Sequence, residues 1–275
     1  MEVPIHTQKL KCRTVFISDV HLGYKDCKAE FLLDFLSKID CEVLYLLGDI
    51  VDLWSLKKRL FWPPAHYEVI RLINQLANNG TRIVYIPGNH DETFRDYADQ
   101  NWGNVDIRHE VVHETAAGKK LLLFHGDALD SHIRLSWLNQ AIGDHAYDFL
   151  LFLNRWCNFI RRRFGFDYWS LSTYIKTHVK NAREAVEIFE NAAIHEAKKR
   201  GLDGVICGHI HKAEILVKEG ILYCNDGDWV ESCTALTEDF NGRIALLNWT
   251  ESRKSLKTLS ASNDEVIAKT QRIAL

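Results

Sequence analysis

The sequence predicts a layered α/β (α+β) protein with a helical insertion, and three observations carry that reading. Strand and helix patterns alternate over the first 90 residues. Each apolar run there ends in a polar cluster holding Asp, His or Asn. A long stretch from about 130 to 200 has helical spacing and no strand pattern. Strands alternating with helices favour a sheet that gathers its ligands at the carboxyl ends of its strands.

The elements follow in order. Residues 14–18 form a short apolar run that reads as a buried strand, and residues 28–38 space their apolar positions as a helix does. A second strand is expected over 43–47, a second helix over 67–77 and a third strand over 82–86. Strands are then expected over 105–112 and 120–124. The sheet resumes at 204–207, and hairpin-like strands follow at 213–218, 221–224, 233–237 and 244–249. Residues 251–275 are polar and read as a loosely packed helix or a disordered tail. The expected organisation is therefore a core of residues 1–129 and 201–250, an insertion over 130–200 and a tail from 251.

Composition narrows the functional classes. The chain has 275 residues, 47% of them apolar, enough for a sizeable core. A net charge of -3 argues against a nucleic-acid binder, which carries a basic surface. Seven cysteines are scattered without a C-x-x-C pair, which argues against a disulfide framework and suits a reducing cytosol. The N-terminal residues lack the apolar core of a secretion signal. The most apolar run, residues 149–153, falls short of the ~20 residues that span a bilayer. The protein is thus expected to be cytoplasmic, either soluble or resting on a membrane surface.

The chemistry lies in the polar clusters. Asp19 and His21 follow the first strand, Gly48-Asp49 and Asp52 the second, and Gly88-Asn89-His90-Asp91 the third. His125 follows the strand at 120–124, and Gly208-His209-Ile210-His211 follows that at 204–207. Carboxylates supply charge, imidazoles neutral nitrogen and an Asn amide a neutral oxygen. Two divalent cations about 3.5–4 Å apart need such a mixed set, with one carboxylate shared. The absence of thiolates favours manganese, with iron or zinc as alternatives. Any one of these pieces alone reads equally well as a turn or a structural histidine; the ordered series does not.

In these motifs the chain resembles the calcineurin-like metallophosphoesterases, over about residues 12–249. The resemblance implies a two-sheet β-sandwich flanked by helices. It implies that Asp19, His21, Asp49 and His211 bind one metal, and that Asp49, Asn89, His125 and His209 bind the other, with Asp49 bridging. It implies hydrolysis of a phosphoester by a hydroxide held between the ions. It makes His90 the acid or transition-state donor and Asp52 the carboxylate that orients it. Protein Ser/Thr phosphatases carry an Arg after the second Asp of G-D-x-x-D; here that residue is Leu53, so this substrate class is disfavoured.

The expected insertion is informative for the substrate. Residues 155–183 carry Arg155, Arg161, Arg162, Arg163, Lys176, Lys180 and Arg183 against Asp167, with aromatics between them. Such a mixture suits an anionic membrane surface or a lipid with a phosphate head, or else a solvated helical face over an ordinary core. A helical lid between the fourth and fifth motifs is similar to that of UDP-2,3-diacylglucosamine pyrophosphatases, as is Gly227-Asp228-Trp229-Val230-Glu231. That branch splits a UDP-linked diacyl sugar into UMP and a lipid monophosphate. The best-known members carry Arg where this chain has His90. On this reading Lys176, Lys180 and Arg183, on one helix face by their spacing, are candidate substrate contacts, and the lid touches the inner face of the cytoplasmic membrane. The alternative is a soluble phosphodiesterase or phosphomonoesterase acting on nucleotides or other small phosphoesters.

Overall fold

The computed structural model describes residues 9–131, 180–250 and 256–259 of the chain. These build two sheets. The larger has eight strands: β1 (Leu10–Ile17), β2 (Ile39–Leu46), β3 (Arg82–Tyr85), β4 (Asn101–Trp102), β5 (Val105–Ile107), β11 (Thr234–Glu238), β12 (Ile244–Asn248) and β13 (Leu256–Leu259). Its order is β13-β12-β11-β1-β2-β3-β5-β4. The smaller has five, β6 (Val111–Glu114), β7 (Lys120–Leu123), β8 (Gly204–Cys207), β9 (Glu214–Lys218) and β10 (Ile221–Asn225), in the order β6-β7-β8-β10-β9. The helices are α1 (Ala29–Lys38), α2 (Leu53–Lys58), α3 (Pro64–Asn78) and α4 (Lys180–Lys199).

Both faces of the central strands are buried, which is why they read as continuous apolar runs. In β1, Val15 and Ile17 point to α1 and α3, where they join Leu32, Phe35, Val69 and Ile73. Phe16 and, from β2, Tyr45 point the other way, to Leu121, Leu123 and Ile206 of the smaller sheet. On that sheet's far face, Leu122, Val205 and Tyr223 pack against Phe189, Ala193 and Ala197 of α4. The layers therefore run helix, sheet, sheet, helix, the sandwich flanked by helices that the resemblance implies. Strands β1, β2 and β3 are parallel, as are β7, β8 and β10, so the carboxyl ends of each set share an edge.

Four places differ from the sequence expectations. Residues 105–112 are two strands in different sheets, because the polar Arg108-His109-Glu110 carries the chain across; Arg108 N–H donates to Tyr85 O on the way. Helix α2 has only six residues, too few to show a periodicity. The tail contains β13, whose Leu256 and Leu259 pair with Leu247 and Ile244 of β12. The last part of the expected insertion is α4, which serves the core of the smaller sheet; the rest of it, residues 132–179, lies outside the described residues. No described helix is long and apolar enough to cross a membrane.

One buried polar network pins the sheets together. Glu238 of β11 is wholly buried and accepts from His113 Nε2 of β6 at 2.8 Å, Thr14 Oγ1 at 2.9 Å, Arg13 Nη1 at 2.9 Å and Ala116 N at 2.7 Å. Tyr45 Oη lies 3.3 Å from His113 Nδ1. Burial opposes ionisation of Glu238, yet the hydrogen bonds from His113, Ala116 and Thr14 hold its carboxyl below the ordinary 4.5. Glu238→Ala strands these donors and is expected to lose about 3 kcal/mol in urea unfolding, the usual result of breaking a buried pair. A depressed carboxyl lends stability above its unfolded pKa and loses it as pH falls, so the gap between wild type and variant closes in acid.

Candidate metal centre

Five of the seven sequence-predicted ligands, Asp19, His21, Asp49, His125 and His211, converge where the two parallel edges meet. Asp19 and His21 follow β1, Asp49 follows β2 and Asn89 lies beyond β3, all on the larger sheet. His125 follows β7, and His209 and His211 follow β8, on the smaller one. Asp19, His21 and His211 each bring a ligand atom within 4.8 Å of the other two. So do Asp19, Asp49 and His125, and so do His21, Asp49 and His90. His90 thus stands within ligand reach as well as in the acid position expected for it.

The local geometry is strained and held. Asp19, His21, Asp49, His209 and His211 all have φ between 50 and 70°, the left-handed region. Each such residue costs about 1–2 kcal/mol when it is not glycine. The backbone N–H of Asp19 is held by Gly48 O at 3.0 Å and that of His21 by Asp49 O at 2.9 Å. The amide of His209 donates to Asp19 Oδ2 at 2.8 Å. Strain maintained by a surrounding network is characteristic of functional loops.

The loops also approach too closely for side chains at Gly88 and Gly208, among others. A Cβ at Gly88 would overlap Asp49 Oδ1 and the His125 ring. A Cβ at Gly208 would overlap Ser18 Oγ and Asp19 Oδ2.

Hydrogen bonds set which nitrogen of each ring faces inward. His125 Nδ1 donates to Leu47 O at 2.7 Å, which turns Nε2 toward Asp49 Oδ2, 3.5 Å away. His21 Nδ1 lies 3.3 Å from Asp52 Oδ2, and its Nε2 is 3.8 Å from both Asp19 Oδ1 and Asp49 Oδ2. His211 Nε2 is 3.1 Å from Asp19 Oδ1. His209 packs its ring 5.1 Å from that of His125.

Asp52 faces two imidazoles. Besides His21, its Oδ1 lies 3.1 Å from His90 Nδ1, an approach without full hydrogen-bond alignment. The same Oδ1 accepts from Ser55 N at 2.7 Å and so caps α2. Trp54, in the first turn of that helix, lies over the His90 ring with centroids 4.2 Å apart.

Charge explains what the cluster is suited to hold. Asp19, Asp49 and Asp52 are buried within one small volume. Burial opposes their ionisation, but the surrounding histidines hold all three well below the usual carboxylate range. Burial would depress His21, yet its contact with Asp52 and the charges of Asp49 and Asp19 raise it to about 9. Meanwhile Asp19 Oδ1, His21 Nε2, Asn89 Oδ1 and His125 Nε2 are buried without a hydrogen-bond partner. Buried polar atoms of this kind are normally satisfied. Oxygen and imidazole donors around concentrated negative charge fit divalent cations.

Several supporting residues carried no role in the sequence reading. Asp91 is wholly buried and accepts from Tyr85 Oη at 2.5 Å, Gly88 N at 2.6 Å, Ile50 N at 2.7 Å and Asp49 N at 3.2 Å. Its place in Gly88-Asn89-His90-Asp91 was the available signal. Ser18 Oγ bridges Asp19 Oδ2 at 2.5 Å and Asp226 Oδ1 at 2.6 Å. Asn225 Nδ2 donates to Gly208 O at 2.6 Å and steadies the last ligand loop. Among the predicted substrate contacts, Lys180 opens α4, Arg183 is exposed on it, and Lys176 lies outside the described residues.

The motif series has a counterpart among known proteins. The sequence profile of the calcineurin-like phosphoesterases matches residues 12–213. The chain belongs to the calcineurin-like phosphoesterases. As a member of that family it is a metal-dependent phosphoester hydrolase. It is 28% identical over 229 residues to a UDP-2,3-diacylglucosamine hydrolase of Psychromonas ingrahamii, covering 79% of this chain and 89% of that one. It is 24% identical to the protein of that name from Haemophilus influenzae, over 84% and 97% of the two chains. With that of Hahella chejuensis it shares 33% identity over 120 residues, 42% and 48% of the two. Among solved structures it is similar to the phosphoesterase YfcE of E. coli, at 14% identity and a TM-score of 0.45 over 90% of this chain and 97% of that one.

Arg95 ties the loops of this phosphoesterase together. Its guanidinium donates to both oxygens of Asp127, at 2.9 and 2.7 Å, and to Pro87 O at 3.1 Å. The loop bearing Asn89 and His90 is thereby fixed to the loop bearing His125. Arg95→Ala is expected to weaken the binding of the second of two cations by about 10–100-fold, the usual effect of removing a group that orients a ligand. Arg95→Lys, lacking the planar fork, recovers only part of this. Calorimetric titration of the metal-free protein reads both.

Proposed function

We propose that this phosphoesterase cleaves a UDP-linked diacylglucosamine to UMP and a lipid monophosphate at the inner face of the cytoplasmic membrane. The observation that carries the substrate is the match to UDP-2,3-diacylglucosamine hydrolases across most of both chains. The donor geometry supports a pair of divalent ions, manganese being the assignment the donor types favour. Asp19, His21, Asp49 and His211 would hold one ion, Asp49, Asn89, His125 and His209 the other. When bound, such a pair supplies neutralisation of phosphate charge and a water acidified toward neutrality.

The chain's own groups do the rest. His90 directs Nδ1 toward Asp52, leaving Nε2 3.9 Å from Asp49 Oδ2 at the mouth of the cluster. From there Nε2–H reaches a phosphate or leaving-group oxygen and carries the proton that oxygen requires. Asp52 stabilises the imidazolium that gives up this proton and keeps the ring in one orientation. Trp54 covers one face of His90 and keeps water from it. Lys176, Lys180 and Arg183 remain our assignments for contact with phosphate or uridine, in the lid expected to meet the membrane.

The reading is tested by release of UMP from UDP-2,3-diacylglucosamine with manganese supplied. Turnover is expected for wild type and a loss of at least about 10³-fold for Asp49→Ala, since that substitution removes the shared ligand. Hydrolysis of an aryl phosphodiester without release of UMP would reject this substrate and favour small phosphoesters.

Metal uptake is expected to depend on pH. Free His21 titrates at about 9 and must lose its proton to act as a ligand. Affinity should therefore rise from neutral pH toward 9 with release of protons, visible as a buffer-dependent heat in calorimetry.

A further inference from the structure

Between Asp52 and Glu68 the chain carries three cations and no acidic residue. The cations are consecutive, Lys57-Lys58-Arg59, and Leu60-Phe61-Trp62 follow at once. All six are exposed, and Leu60 is 82% accessible. A single exposed leucine is ordinary; three large apolar side chains in a row beside three cations form a patch of distinct chemistry.

This connection between α2 and α3 is braced from beneath. The Arg59 N–H donates to Ser55 O at 2.9 Å and closes α2. Pro63 precedes α3 as its cap, and Pro64 opens that helix. The rings of Phe61 and Trp62 stand edge-on to His66, at 5.8 and 5.6 Å between centroids. His66 is itself buried, and its Nδ1 accepts from Gly23 N at 3.0 Å. Both aromatics therefore pack against His66 while remaining 37% accessible. Little ordering entropy is left to lose on docking.

We propose that residues 57–62 dock the protein on an anionic phospholipid surface. Leucine and aromatic side chains enter the boundary between headgroups and acyl chains, while the adjoining cations meet lipid phosphates. Charge selects this occupant. The chain's other cation-rich stretch, residues 155–183, has seven Lys and Arg against one Asp. It has the same sign as Lys57-Lys58-Arg59 and does not complement it, whereas an anionic surface complements both.

The position adds to the argument. Helix α2 runs from Asp52, between His21 and His90, directly to the docking residues. For a lipid-linked substrate, which rests on the function proposed above, docking here sets the catalytic cluster at the surface that holds the substrate. The docking itself needs no turnover.

The test is co-sedimentation of the full chain with vesicles. Wild type is expected to bind vesicles of phosphatidylglycerol and phosphatidylcholine, to bind pure phosphatidylcholine far less, and to be released by salt. Replacing Lys57, Lys58 and Arg59 together by Ser is expected to lower partition about a hundredfold, from about fivefold per cation. Replacing Leu60, Phe61 and Trp62 by Ser should lower it at least about tenfold. Both variants should keep wild-type turnover of a water-soluble aryl phosphodiester. Leu60→Ser alone, at a site too exposed to disturb folding, should still weaken binding measurably. Asp49→Ala should sediment like wild type, which separates docking from the hydrolytic reading. Failure of wild type to bind, or unchanged binding in the two triple variants, overturns the proposal.

Discussion

The buried carboxylate of Asp91 holds together the two loops that present Asp49, Asn89 and His90. It takes no place among those ligands. It collects the Tyr85 hydroxyl and the amides of Gly88, Asp49 and Ile50 instead. Burial and the neighbouring charge of Asp49 push its pKa up, and the donors work against that rise. Through Asp91 the loop after β2 and the loop after β3 behave as one piece, so Asp49, Asn89 and His90 keep a fixed relation.

Other candidate ligands hang on similar devices. Ser18 and the His209 amide position Asp19, the Leu47 carbonyl positions His125, and Asp52 faces His21 and His90 together. Five of the seven sequence-predicted ligands have left-handed backbone. A loop arranged in this way gives up some stability locally and recovers it from buried hydrogen bonds nearby. The result is a set of donors presented inward before any ion arrives, so little rearrangement is needed on binding.

The sequence made much of this legible, for physical reasons. Strands buried on both faces show as uninterrupted apolar runs, and β1, β2, β3, β7 and β8 each end one to a few residues before a candidate ligand. That local signal located the site. What escaped depended on long-range packing. Nothing local says that 105–107 and 111–114 belong to different sheets, or that the 180–199 helix lies on β8 and β10. Nor does spacing reveal that Asp91 works inward as a brace while its neighbour His90 faces the cluster. The bond from Arg95 to Asp127 joins residues 32 apart in the chain and has no signature in either neighbourhood.

The cluster draws its donors from both sheets, with the carboxylates Asp19 and Asp49 on one and His125, His209 and His211 on the other. Its geometry is therefore a gauge of how the two layers sit on one another. A slip of the sandwich by less than one side chain would leave every strand paired yet pull the imidazoles off their carboxylates. The apolar seam around Phe16 and Ile206 that keeps the layers in place therefore also keeps the cluster in place.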